Sequence, residues 1–91
     1  MFSLGDQVCS TAGRDAKKCF LVVGILDEQY VLISDGKLRK TDKPKKKKIK
    51  HLTSLGISHE EIKQKLTNKV PVTNKEIRSA LNKINANKGE E

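Results

Sequence analysis

Apolar and polar positions change their period part-way along the chain. Up to about residue 53 the apolar residues come in short runs separated by turn formers. Residues 8–10 form a candidate strand, followed by the turn-rich Thr11, Ala12, Gly13, Arg14 and Asp15. Residues 19–26 are apolar and rich in β-branched types, interrupted only by Gly24, and give the strongest strand signal. Asp27, Glu28 and Gln29 make a short polar loop, and residues 30–34 predict the next strand. Asp35-Gly36 is a two-residue hairpin signal that needs a positive φ, after which residues 37–40 are expected to return antiparallel. Residues 41–44 end that strand at Pro44. Ile49, Lys50, His51, Leu52 and Thr53 alternate and predict a closing strand. Short strands with tight connections of this kind predict a small β-barrel.

Beyond residue 57 the period becomes helical. Ser58 with Glu61 has the spacing of a capping box, and Ile57 with Ile62 that of a hydrophobic staple. Thr73 with Glu76, and Val72 with Ile77, repeat the device. Ile62 and Leu66 continue one apolar face; Ile77, Ala80, Leu81 and Ile84 continue the other. Residues 68–71 link the two helices, and the polar residues from 85 onward are expected to fray. The run 19–26 is apolar on both faces, with Phe20 and Val22 on one and Leu21 and Val23 on the other. A small antiparallel barrel normally wets its outer face. The helices, too short to be stable alone, are therefore expected to cover the barrel from outside. Residues 1–56 read as the barrel, 57–87 as the helical pair and 88–91 as a disordered tail.

Charge sharpens this picture. Nineteen Lys and Arg against eleven Asp and Glu give the 91-residue chain a net charge of +8, with 33% of residues charged and 35% hydrophobic. Residues 37–50 hold nine basic groups and one acid, so this window carries the whole net charge and the rest sums to zero. Such a balance points to an anionic partner. The run Lys43, Lys45, Lys46, Lys47, Lys48 and Lys50 is dense enough to repel itself and stay extended between two strands until neutralised. A solvated flexible loop and a nuclear-import signal are the competing readings of such a run. An anionic-lipid patch lacks an apolar anchor beside it.

Several classes of function fit poorly. A chain this small has no room for a deep active-site cavity. His51 and His59 are each isolated from any Ser or Cys in a strained turn, and no phosphate-binding glycine loop is present. Catalysis and a cofactor are not expected. The longest apolar run, residues 19–26, is far short of the roughly 20 residues that span a bilayer. Residues 1–7 lack a basic stretch and carry Asp6, unlike a secretory signal. Cys9 and Cys19 lack the companions of a zinc site and read as two reduced, partly buried thiols in a cytosolic protein.

The stretch from Val8 through Gly13-Arg14-Asp15-Ala16 and Lys18 to Val23 resembles a KOW motif, in which an apolar strand enters a glycine-containing basic loop and leaves on a second apolar strand. The continuation through Tyr30-Val31-Leu32-Ile33, Asp35-Gly36, Arg39-Lys40 and Lys48-Ile49-Lys50-His51-Leu52 is similar to the archaeal and eukaryotic fourteen-e type of large-subunit ribosomal protein. Overall the chain most resembles small bacterial KOW-domain RNA-binding proteins related to that type. The likeness covers residues 5 to 53; the helical tail matches only loosely. One departure is Lys17, which stands where the family has its second glycine.

The resemblance implies a mainly β fold with an α appendage, an SH3-like five-stranded small barrel of the KOW kind plus two short C-terminal helices. It also implies a cytoplasmic, monomeric, ribosome-associated protein that binds structured RNA, above all ribosomal RNA, with ribosomal proteins as further partners. The expected RNA contacts are Gly13, Arg14, Lys17 and Lys18 in the loop, then Lys37, Arg39, Lys40, Lys43, Lys45, Lys46, Lys47, Lys48 and Lys50. Arginine grips phosphate bidentately and lysine acts as a mobile point charge. Phe20 and Tyr30 lie in predicted strands and read as core, so backbone and shape recognition is expected rather than base stacking. A protein-interaction module of the transcription or translation machinery and a general RNA chaperone are the alternatives.

Overall fold

The structure, a computed structural model, describes residues 2–11 and 18–90, with side chains described as far as residue 82. Among these residues five strands and two helices follow in order: β1 (Asp6–Ser10), β2 (Cys19–Ile25), β3 (Tyr30–Ser34), β4 (Lys45–Lys48), β5 (Leu52–Ser58), α1 (Glu60–Thr67) and α2 (Asn74–Glu90). A 3₁₀ turn, Ile49–His51, joins β4 to β5. The strands form one antiparallel sheet in the order β4-β3-β2-β1-β5.

β4 and β5 are opposite edges of this sheet, yet only the three-residue turn separates them. Five strands laid flat would hold their edges about 19 Å apart at 4.8 Å per spacing. Four residues, even fully extended, span at most roughly 14 Å. The sheet must therefore curl towards itself, helped by a register shift between Val22 and Gly24 in β2. No ladder joins β4 to β5, so the curled sheet stays open.

The curl wraps an inner core. Val8, Phe20, Val22, Val31, Ile33 and Leu52 are buried together, with Phe2 and Ile49 packed against them. The opposite face of β2 meets the helices. Leu21 is buried with Ile62, Ile77, Ala80 and Leu81, and Cys19, Val23, Leu66 and Val72 border the cluster. Through Val22 β2 is thus covered on both faces, as its two-sided apolar sequence requires, and the helices are the outer cover.

Three local expectations change. Residues 37–40 are not a strand. The Asp35 carboxylate accepts the amides of Lys37 (2.8 Å) and Arg39 (3.0 Å) and folds them into a turn. The Ser34 hydroxyl donates to the Arg39 carbonyl at 2.6 Å and closes it. Gly36 has the expected positive φ of 74°, and a Cβ there would stand 2.5 Å from the Asn74 carbonyl oxygen. The closing strand is displaced: Ile49, Lys50 and His51 form the 3₁₀ turn and β5 starts at Leu52. The capping box at Ser58 is not made, because β5 runs through Ser58, which partners Asp6. His59 is the N-cap of α1, without a side-chain cap bond. Its amide donates to the Gly5 carbonyl (3.0 Å), and its Nε2 lies 2.9 Å from Oε1 of the buried Gln7. The second cap forms as expected, with the Glu76 amide donating to the Thr73 hydroxyl at 3.1 Å.

The helices are also tied together at the surface. Lys65 Nζ lies 2.6 Å from Glu76 Oε1. That hydrogen bond is the main reason the Glu76 carboxyl titrates below the ordinary glutamate range; burial opposes it, and the Lys65 charge and the Thr73 hydrogen bond assist. An exposed pair of this kind adds little stability. After α1 the chain turns through Lys69 at φ 59°, and the Val70 amide donates to the Lys65 carbonyl at 2.7 Å. This is a left-handed helix stop normally given to glycine. Lys69→Gly is expected to raise stability by about 0.5–1 kcal/mol, measured by denaturant unfolding.

The reading of Cys9 and Cys19 as free thiols is overturned. The two residues are direct partners across β1 and β2, with Cα atoms 4.1 Å apart, and they form a disulfide. The Ser10 amide donates to the Lys18 carbonyl beside them, which makes the cysteines a non-hydrogen-bonded pair, where facing side chains are closest. A bond closing so short a loop is expected to contribute about 2–3 kcal/mol on the chain-entropy account. Denaturant unfolding of one sample with and without reductant measures it; equal midpoints would deny the contribution.

Candidate nucleic-acid interface

The lysine run does not lie loose between strands. Lys45–Lys48 is itself the edge strand β4, paired with β3 as Tyr30↔Lys48, Val31↔Lys47, Leu32↔Lys46 and Ile33↔Lys45. Consecutive lysines in a strand point to opposite faces, so like charges on one face stand about 6.8 Å apart. Repulsion at that distance is about 0.6 kcal/mol in water before salt screening. A ladder hydrogen bond contributes about 1 kcal/mol, so pairing with the apolar β3 outweighs the repulsion. At an edge, lysines also oppose pairing with another sheet.

The register sorts these side chains. Lys45 and Lys47 share a face with Ile33 and Val31 of the inner core. Lys46 and Lys48 share a face with Leu32 and Tyr30. That face is the helix side, because Leu32 lines a hollow of about 440 Å³ with Val23, Leu66 and Val72. Lys46 Nζ lies 4.4 Å from the centre of the Tyr30 ring, and Lys48 Nζ 5.8 Å from it. Phe20 is core, as expected, whereas Tyr30 is only half-buried and stands among lysines. The expectation that both aromatics are core is corrected for Tyr30.

The connection from β3 to β4 presents Lys37, Arg39, Lys40 and Lys43. It is anchored on α2: Arg78 Nη1 donates to the Gly36 carbonyl at 2.7 Å, and the Thr41 amide donates to Asn74 Oδ1 at 2.7 Å. Its cations are therefore carried on a fixed turn that leads directly into β4. Lys50 follows β4 in the 3₁₀ turn and is exposed. Lys18 and Lys37 are brought together across the fold, lining a hollow of about 320 Å³ with Asp35 and Arg78. Arg78 was not among the sequence candidates; its place in a helical period gave no sign of that contact. Gly13, Arg14 and Lys17 lie outside the described residues.

The arrangement offers cations on a paired edge strand and an adjoining turn, with one aromatic ring beside two ammonium groups. Among the described residues no His, Cys, Asp and Glu group could hold a metal ion. No described helix is long and apolar enough to cross a membrane. No protein-family model matches the chain, and no curated protein sequence matches it.

Proposed function

We propose that the chain binds structured RNA through its phosphate backbone, as a KOW-type module with an SH3-like barrel. The observation that carries this reading is the strand Lys45–Lys48, an edge of four consecutive lysines within a window that holds the entire net charge. Ammonium groups at strand spacing can follow successive phosphates of one nucleic-acid strand. The paired backbone lowers the ordering cost that a flexible run would incur on binding. The tight curl of five antiparallel strands supports the barrel part of the proposal, and the resemblance of residues 5–53 supports the choice of RNA.

The proposed target is ribosomal RNA in the cytoplasm, bound by a monomer without a catalytic step. A lysine edge suits a monomer, since it resists edge-to-edge pairing. The Cys9–Cys19 disulfide braces β1 against β2 beside the ladder through Val8 and Phe20 and through Gln7 and Leu21.

Sedimentation of a cell extract in a sucrose gradient tests the assignment. The protein is expected to travel with a ribosomal subunit at low salt and to return to the top of the gradient as salt rises. A protein that stays at the top at low salt contradicts ribosomal binding. If it also fails to retain purified structured RNA on a filter, the wider RNA reading falls.

A further inference from the structure

We propose that Tyr30 is a stacking platform for one unpaired nucleobase, with Lys46 and Lys48 taking the phosphates on either side of that nucleotide. This rests on the RNA reading above and adds to it a preference for RNA with a bulged or looped-out base.

The backbone that carries the ring is held in place. Asp27 Oδ1 accepts the amides of Gln29 and Tyr30, each at 2.8 Å, so the loop before β3 is closed and its carboxylate is already engaged. The Leu26 amide donates to the Tyr30 carbonyl at 3.1 Å, and β4 pairs Lys48 with Tyr30 from the other side. With its backbone fixed, Tyr30 has only its two side-chain torsions to order when a ligand arrives. The ring is only half-buried, so part of it is open to solvent and to a base.

The ammonium of Lys46 over the ring occupies the place a base would take. An exposed cation–π contact is worth about 0.5–1 kcal/mol. Stacking a base on an aromatic is worth about 1–3 kcal/mol. The base therefore displaces the ammonium, and Lys46, freed from the ring, has a phosphate of the same nucleotide within reach of its flexible stem. A fully paired RNA helix keeps its bases stacked inside and offers none to Tyr30. The ligand that uses the ring is a bulge, loop or end.

The chain has one Tyr and no Trp, so its tyrosine fluorescence reports on this ring alone. Two RNA hairpins of equal length serve as probes, one fully paired and one with a single-nucleotide bulge. The bulged hairpin is expected to quench tyrosine emission strongly and to bind about tenfold tighter than the paired one. Tyr30→Leu is expected to remove that tenfold advantage and leave paired-RNA affinity unchanged, whereas Tyr30→Phe keeps the advantage. Equal binding of both hairpins with unchanged emission overturns the stacking role and leaves the RNA reading intact. Absence of binding to either hairpin at low salt overturns both.

Discussion

Replacing Lys45, Lys46, Lys47 and Lys48 together with Gln is expected to weaken binding to all RNAs alike. It should also flatten the dependence of log affinity on log salt by roughly 2 to 4 units. The size follows from counterion release: each neutralised phosphate contributes about 0.7–0.9 to the slope. The two inner-face and two outer-face lysines need not all engage at once. If variant and wild type converge near 1 M salt, such a change in slope means a loss of roughly 10²- to 10³-fold at physiological salt. The fold should survive, because β4 is held by backbone pairing to β3 and borders solvent on its free edge. Lys63→Gln with Lys75→Gln, on the two helices, is a control away from the strand and should leave the slope unchanged. A four-Gln protein with the wild-type slope would make the strand a solvated edge and nothing more.

Ile77→Ala is expected to cost about 2–5 kcal/mol, the range for truncating a large aliphatic side chain in a core. Ile77 is wholly buried in the outer cluster with Leu21, Ile62, Ala80 and Leu81. A domain of this size has roughly 5–14 kcal/mol in total, so the loss is a large share of it. The melting midpoint should fall by about 10 °C or more. The decisive feature is which signal moves. Leu21 ties the helices to β2, whose other face carries Phe20 and Val22 of the inner core. Sheet and helices should therefore unfold together, and far-UV signals of β and α structure should shift by the same amount. A helix signal that shifts alone would mean that the helices are a loose appendage rather than the outer cover of the sheet.

Much of the fold is legible in local pattern. Tyr30–Ser34 is read to the residue because a polar loop and the Asp35-Gly36 turn bracket it. The outer cover could be inferred because Leu21 and Phe20 cannot both be inward in one strand. The residues between β3 and β5 misled for a physical reason. Asp35 and Ser34 take the amides and carbonyl that a returning strand would have used, and that depends on side-chain geometry rather than on alternation. Strand propensity then underrated four lysines, because what pairs at a sheet edge is the backbone. The Cys9–Cys19 bond depends on the exact register of β1 against β2, and Lys18 and Lys37 come to line one hollow only through the fold, neither of which alternation within a segment reports. The place of Tyr30 beside Lys46 and Lys48 was hidden for the same reason: until β4 is located, the ring has no known neighbours.

Lysine footprinting tests the claim that the β4 edge is the RNA surface most directly. The free protein and its RNA complex are acetylated briefly at equal extent, and protection is read at each lysine by mass spectrometry. Protection is expected at Lys45, Lys46, Lys47 and Lys48 and, more weakly, at Lys43 and Lys50, with Lys63, Lys69 and Lys75 of the helical region reacting as in the free protein. Protection confined to the helical lysines, with the strand Lys45–Lys48 acetylated equally in both samples, would contradict the account.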